Sequence, residues 1–181
     1  MGSVNQLLFE WGNGMERIYC FPPVAQEDAQ TLILGSMPSV QSLAQGFYYA
    51  HPRNAFWRIM ADIWQYPTPE TVEEKKQLMT EHRLALWDSI HSCCRPGSLD
   101  SSIRAVEPND FASLFDRCPH ISRICFNGRT AYAQFAAHAG QFLKGRQGLL
   151  LPSTSPAYTM KYEEKFRIWR DAILHGKGAE V

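Results

Sequence analysis

The sequence lacks several features, and each absence excludes a class of function. It has no C-x-x-C pair: Cys20, Cys93, Cys94, Cys118 and Cys125 are odd in number and scattered. That spacing suits neither a structural zinc site, nor a dithiol redox centre, nor an iron–sulfur cluster. Reduced thiols and no metal are expected. His51 is followed by Pro52, and His82 and His91 form no H-x-x-x-H pair, so histidine ligation has no helical framework either. There is no excess charge of one sign, since 18 Lys and Arg balance 18 Asp and Glu. Any contact with nucleic acid must therefore use a local basic patch. No apolar run approaches the roughly 20 residues of a membrane span. The start, Met1 to Gln6, is polar where a secretory signal is basic and then apolar. A cytoplasmic protein that avoids membranes is the expectation. Internal repeats, low-complexity tracts and linkers are missing too.

What is present is a globular composition. With 181 residues and 45% of them hydrophobic, the chain can bury one core, and residues 1–181 are expected to form a single domain.

The first element, Leu7 to Trp11 followed by Gly12-Asn13-Gly14 and Arg17 to Phe21, reads as a small N-terminal hairpin. Thr31-Leu32-Ile33-Leu34, Leu84-Ala85-Leu86-Trp87, Ser122 to Phe126 and Gly148 to Leu151 are short apolar runs. Runs of that length suit strands buried on both faces. Phe56, Ile59, Met60, Ile63 and Trp64 share one helical face, which predicts a helix starting near Ala55. Further helices are expected over Thr71 to His82, after an Asn109 N-cap, over Thr130 to Ala139, and over Tyr162 to Leu174, the last with Phe166, Trp169 and Ile173 inward. Alternating strands and helices predict an α/β fold: a three-layer α/β/α sandwich around a four-stranded parallel sheet.

In such folds the site lies beyond the carboxyl ends of the strands. Four polar segments follow strands here: Gly35 to Asn54, Asp88 to Ser102, Asn127-Gly128-Arg129, and Ser153 to Tyr158. The first is long for a loop in so small a domain, which marks it as functional.

These segments carry a resemblance. Gly35-Ser36-Met37-Pro38-Ser39, then Gly46-Phe47-Tyr48-Tyr49-Ala50-His51-Pro52-Arg53-Asn54-Ala55-Phe56-Trp57, with Leu86-Trp87-Asp88-Ser89-Ile90 and Ser153-Thr154-Ser155-Pro156-Ala157 downstream, resemble the uracil-DNA glycosylase superfamily. Within it the sequence is most similar to the hypoxanthine-DNA (deoxyinosine) glycosylases, relatives of the mismatch-specific uracil/thymine enzymes. The resemblance spans about Leu32 to Tyr158. It implies a cofactor-free enzyme that hydrolyses the N-glycosidic bond of a deaminated base, hypoxanthine or uracil, flipped out of double-stranded DNA; because the nearest lysine to these loops, Lys161, lies beyond the last one, a monofunctional enzyme without strand cleavage is expected. Oligomeric state is open, with a monomer as the expectation because a single-site repair enzyme needs no partner subunit.

Residue by residue, the resemblance places the base pocket at Gly35, Ser36 and Met37, with Asn127. Phe47, Tyr48 and Tyr49 are candidates for an aromatic platform under the base. Two departures stand out. Met37 occupies the place of a water-handling amide, and Ser153 that of a histidine. The water must then be oriented by another group, and Asn54 is the position onto which the resemblance carries that role. An Asn just before a helix also reads as its N-cap. Asp88 stands where uracil enzymes read the base edge. It could accept from a purine N–H or position water if desolvated, and it could equally cap a loop. Asn127-Gly128 also reads as turn chemistry. Ser39, Ser153, Thr154 and Ser155 offer hydroxyls to phosphates, beside Pro156 and Tyr158. Arg53, with Arg95, Arg104, Arg129 and Lys161, would form the basic footprint. Two alternatives stay open: a non-catalytic lesion- or nucleic-acid-binding module on this fold, and a hydrolase of free nucleosides or nucleotides.

Overall fold

The computed structural model describes residues 16–181. In chain order the elements are β1 (Arg17–Tyr19), β2 (Thr31–Gly35), α1 (Val40–Gln45), α2 (Phe56–Trp64), α3 (Val72–Glu81), β3 (Leu84–Asp88) and β4 (Ile90–Cys94). They continue with β5 (Arg104–Pro108), α4 (Phe111–Arg117), β6 (Arg123–Asn127), α5 (Arg129–Ala139), β7 (Gln147–Leu151), α6 (Tyr162–His175) and β8 (Ala179–Glu180).

The expected four-stranded parallel sheet is present as β3-β2-β6-β7, with the short β8 added antiparallel to β7. β2 and β3 are buried along their whole length, as runs without polar alternation require. The chain steps from β2 to β3 in one direction and from β3 past β2 to β6 and β7 in the other. Right-handed crossovers then put α2 and α3 on one face and α4 and α5 on the opposite one. Aromatic contacts hold each layer: Phe56 meets Trp169 of α6 edge-on at 5.9 Å, and Phe111 meets Phe135 at 4.8 Å. The reversal of strand order leaves a crevice beyond β2 and β6.

Several elements differ from expectation. Leu7 to Gly14 lie outside the described residues; Arg17–Tyr19 pairs antiparallel with β4, which pairs with β5 in a second, three-stranded sheet. The long first loop contains α1, capped by Ser39 Oγ, which accepts from Ser42 N–H at 3.1 Å. Helix α4 is capped by Asp110, which accepts from Ser113 N–H, rather than by Asn109. Asn109 is buried and donates its amide to the Asp88 carbonyl oxygen at 2.7 Å, while Asp110 stands at the exposed helix start. Helix α6 buries Lys165, Trp169, Ala172 and Ile173, with Phe166 at the edge of the stripe.

Candidate active site

The register of the parallel sheet builds the site. Gly35 and Asp88 are paired at the ends of β2 and β3, and Asn127 and Leu151 at the ends of β6 and β7. A cleft of about 770 Å³ opens above them, walled by the segments 35–39, 98–101, 127–130 and 150–155 and by Tyr49 and Asn54.

At its floor two buried polar atoms, Asp88 Oδ2 and the Tyr49 hydroxyl, have no hydrogen-bond partner among the described residues. A buried group without a partner costs stability, so it calls for an explanation. Gly35 creates the space for them: a Cβ there would lie 2.5 Å from Asp88 Oδ1 and 2.8 Å from the Tyr49 hydroxyl. Tyr49 reaches this point from a left-handed backbone, φ +52°, with its ring against Phe56 at 4.2 Å. Burial first, and then the Asp100 carboxylate, push the Asp88 carboxyl up to about 8 against the lowering pull of the Arg95 guanidinium. Burial, then the Asp88 charge, holds the Tyr49 phenol above its ordinary range. At neutral pH the floor therefore presents a carboxylic acid and a phenol, both uncharged, each able to donate or accept.

Asn54 stands at the cleft wall just before α2. Its Oδ1 accepts from Phe56 N–H at 3.0 Å, which is the capping role, while Ala55, the formal first residue, offers no side-chain cap. The Asn54 Nδ2 has no protein partner among the described residues. Capping fixes the amide's orientation and leaves a donor for a ligand or water.

Asn127 is used differently. Its Nδ2 donates to Thr154 Oγ1 and its Oδ1 accepts from Thr154 N–H, both at 2.9 Å. The amide thus clamps the last loop onto β6, and Thr154 is buried by it. Gly128 follows with φ +93°, a conformation suited to glycine, and a Cβ there would meet Ser153 Cβ at 3.2 Å.

The other expected residues sort by position. Ser36 donates to Asp100 Oδ1 at 2.9 Å, and Met37 is buried against Ile90, Cys93 and Ile103; both line the cleft. Of the aromatic trio, Tyr48 and Tyr49 line it and Phe47 does not. Phe47 stacks on Trp57 in the core, where the neighbouring helix supplies a large apolar surface. Tyr48 is also core, its hydroxyl donating toward the Phe21 and Pro22 carbonyls at 3.0 Å. Ser39 caps α1. Ser153 and Ser155 accept loop N–H groups and keep their O–H donors. Pro156, Tyr158 and Arg53 are exposed.

Arg95 is not part of a basic surface. Its side chain is buried and holds the Pro38 and Gly97 carbonyls, with Asp100 at 4.0 Å. Arg104 stays exposed, its guanidinium donating to the Ser101 and Ile103 carbonyls. Burial raises the Cys93 thiol, opposite to what a nucleophile needs. Sequence reasoning missed Tyr49 as a hydrogen-bonding group and Lys165 as a buried one. The second was detectable, since Lys165 precedes Trp169 by four residues and so shares its face.

Comparison with known proteins supplies the family. The chain is similar to a hypoxanthine DNA glycosylase of Methanosarcina acetivorans, 35% identical over 156 residues, 86% of this chain and 97% of the relative. A hypoxanthine DNA glycosylase of Methanosarcina barkeri is 34% identical over 110 residues, 60% of this chain and 70% of the relative. The solution NMR structure of a candidate uracil DNA glycosylase from Methanosarcina acetivorans superposes with a TM-score of 0.75 at 33% identity, covering 88% of this chain and 98% of that one. The family model of the uracil DNA glycosylase superfamily matches residues 22–173, and the chain belongs to that superfamily.

Proposed function

We propose that this protein is a monofunctional DNA glycosylase that releases hypoxanthine from double-stranded DNA in base-excision repair, hydrolysing its N-glycosidic bond. The observation that carries this reading is the pair of unpartnered buried groups, Asp88 and Tyr49, at the floor of the cleft. Such groups are matched by the hydrogen-bonding edge of a planar heterocycle, which a duplex exposes only when the base is flipped. Hypoxanthine presents a lactam edge, an N–H beside a C=O. A neutral carboxylic acid complements it with one acceptor and one donor. Uracil carries the same edge on a smaller ring.

Cleavage leaves positive charge on the sugar and negative charge on the departing base. The Asp88 O–H is a donor aimed at the base, and it can transfer its proton as the bond breaks. The Asn54 Nδ2 donor holds the attacking water, its orientation fixed by the Oδ1 contact to Phe56. Water adds to the sugar C1′ as the bond to the base nitrogen breaks; the base leaves with the Asp88 proton, the proton lost by the water returns through solvent to the Asp88 carboxylate, and an abasic sugar with free hypoxanthine results. The names of the Methanosarcina relatives support hypoxanthine as the base.

The test is alkaline strand scission after incubating the protein with duplexes carrying one hypoxanthine, one uracil or no lesion. Release from the hypoxanthine duplex, lost in a folded Asn54→Ala variant, is expected. Tight binding to every duplex with no base release would overturn the reading.

A further inference from the structure

A second cavity, of about 660 Å³, lies on the other side of Asn54, Thr154 and Tyr158, which wall both spaces. Its charged lining has one sign. Arg53, Arg58, Lys75 and Lys165 border it, and no Asp or Glu is among the described residues that do. Arg58 is partly neutralised, 3.7 Å from Asp62 and stacked over Tyr162. The lysines are not: neither has a carboxylate within ion-pair distance among the described residues.

Lys165 is the unusual member. Only 4% exposed, it donates one hydrogen bond, to the Tyr158 carbonyl at 3.3 Å, which leaves two of its three N–H donors without a protein partner. Lys75 sits over the Trp57 ring at 5.7 Å. Burial holds both ammonium groups below the ordinary lysine range. An enclosed cation without an anion is costly, and an entering anion offsets that cost.

We propose that this cavity binds a backbone phosphodiester of the DNA strand that carries the flipped nucleotide, one of those flanking it, through Lys75 and Lys165. The shared wall supplies the strand assignment: a strand whose base occupies the first cleft must pass over Asn54 and Thr154, and its neighbouring phosphate then meets the lysines. The inference rests on the glycosylase reading for its ligand, and it is tested by binding rather than turnover.

Fluorescence anisotropy would follow binding of duplexes in which each phosphate near the hypoxanthine is replaced, one at a time, by an uncharged methylphosphonate. The wild type is expected to lose about tenfold in affinity at one or two adjacent positions of the lesion strand, as one charge-assisted bond implies. Lys75→Met and Lys165→Met should be insensitive at those positions, and their log–log salt slopes shallower by about 0.9. Thermal melting checks folding, and the half-exposed Lys75 alone carries the test if Lys165→Met does not fold. Position effects equal to the wild type's in both variants would overturn the proposal. So would tight binding of inorganic phosphate alone, lost in Lys75→Met, without a position effect on DNA. Absence of base release with these effects intact would refute the glycosylase reading alone.

Discussion

Asp88 should weaken the fold at neutral pH. Its carboxyl titrates at 3.8 in an ordinary setting and at about 8 in the folded protein. Below pH 3.8 it is protonated folded or unfolded and has no effect on the balance. Above that the unfolded chain gives up the proton and the folded chain keeps it, so stability falls by about 1.4 kcal/mol per pH unit until the folded value is passed. By pH 7 the loss is about 4 kcal/mol, and beyond pH 8 it levels near about 6 kcal/mol. Asp88→Asn keeps the shape and never ionises, while its extra unpaired N–H costs about 1–3 kcal/mol at any pH. The variant is therefore expected to be less stable than the wild type at pH 4 and more stable at pH 7 by about 2 kcal/mol, a melting shift of about 4–8 °C for a chain of this size. Urea titrations at pH 4, 5.5, 7 and 8.5 measure the difference directly, because all other titrating groups are common to both proteins. A gap between the two that does not change with pH would refute the reasoning.

In the proposed mechanism the same titration governs the chemistry: wild-type base release should decline as pH rises through about 8, where the acid is lost, and Asp88→Asn should be slower by about 10²-fold or more in single turnover. Gly35→Ala puts a methyl group where the Asp88 and Tyr49 oxygens sit; a loss of about 1–3 kcal/mol in melting studies and of most base release is expected, and an unimpaired variant would disprove the close packing. Asn54→Ala removes the acceptor for Phe56 N–H, so about 1 kcal/mol of stability and nearly all activity should go together, the second far in excess of the first. Asn127→Ala strands the buried Thr154 N–H, at a cost of about 1–3 kcal/mol, and should raise KM more than it lowers kcat.

The sheet was legible because its strands announce themselves. Thr31–Leu34 and Leu84–Trp87 are unbroken apolar runs of strand length, and the polar residues that end them, with Gly35 and Asp88, fall where the site lies. The second sheet was not, because β4 follows β3 after Ser89 alone and reads Ile-His-Ser-Cys-Cys, half polar and without a turn signal. The six residues of α1 are too few for a periodic pattern. At the site, residue type marked Asn54 and Asp88, but their contrasting states come from tertiary contacts. Burial keeps Asp88 protonated, and nothing in a single chain reports how deep a strand end lies. Asn54 and Asn127 are the same residue at similar element ends, yet one has a free donor and the other is closed on Thr154. Phe47 and Tyr49, two residues apart, diverge because α2 offers Phe47 the Trp57 ring.

Thr154 has a role beyond the clamp. While Asn127 grips its N–H and hydroxyl, its own carbonyl oxygen accepts from Ala55 N–H at 3.0 Å. One residue thereby ties the last loop, the end of β6 and the start of α2 together. The Asn54 amide, one residue before Ala55, is thereby fixed relative to that loop. In the proposed mechanism the donor that holds the water is therefore set by the loop offered to the DNA backbone, with no hinge needed inside the helix.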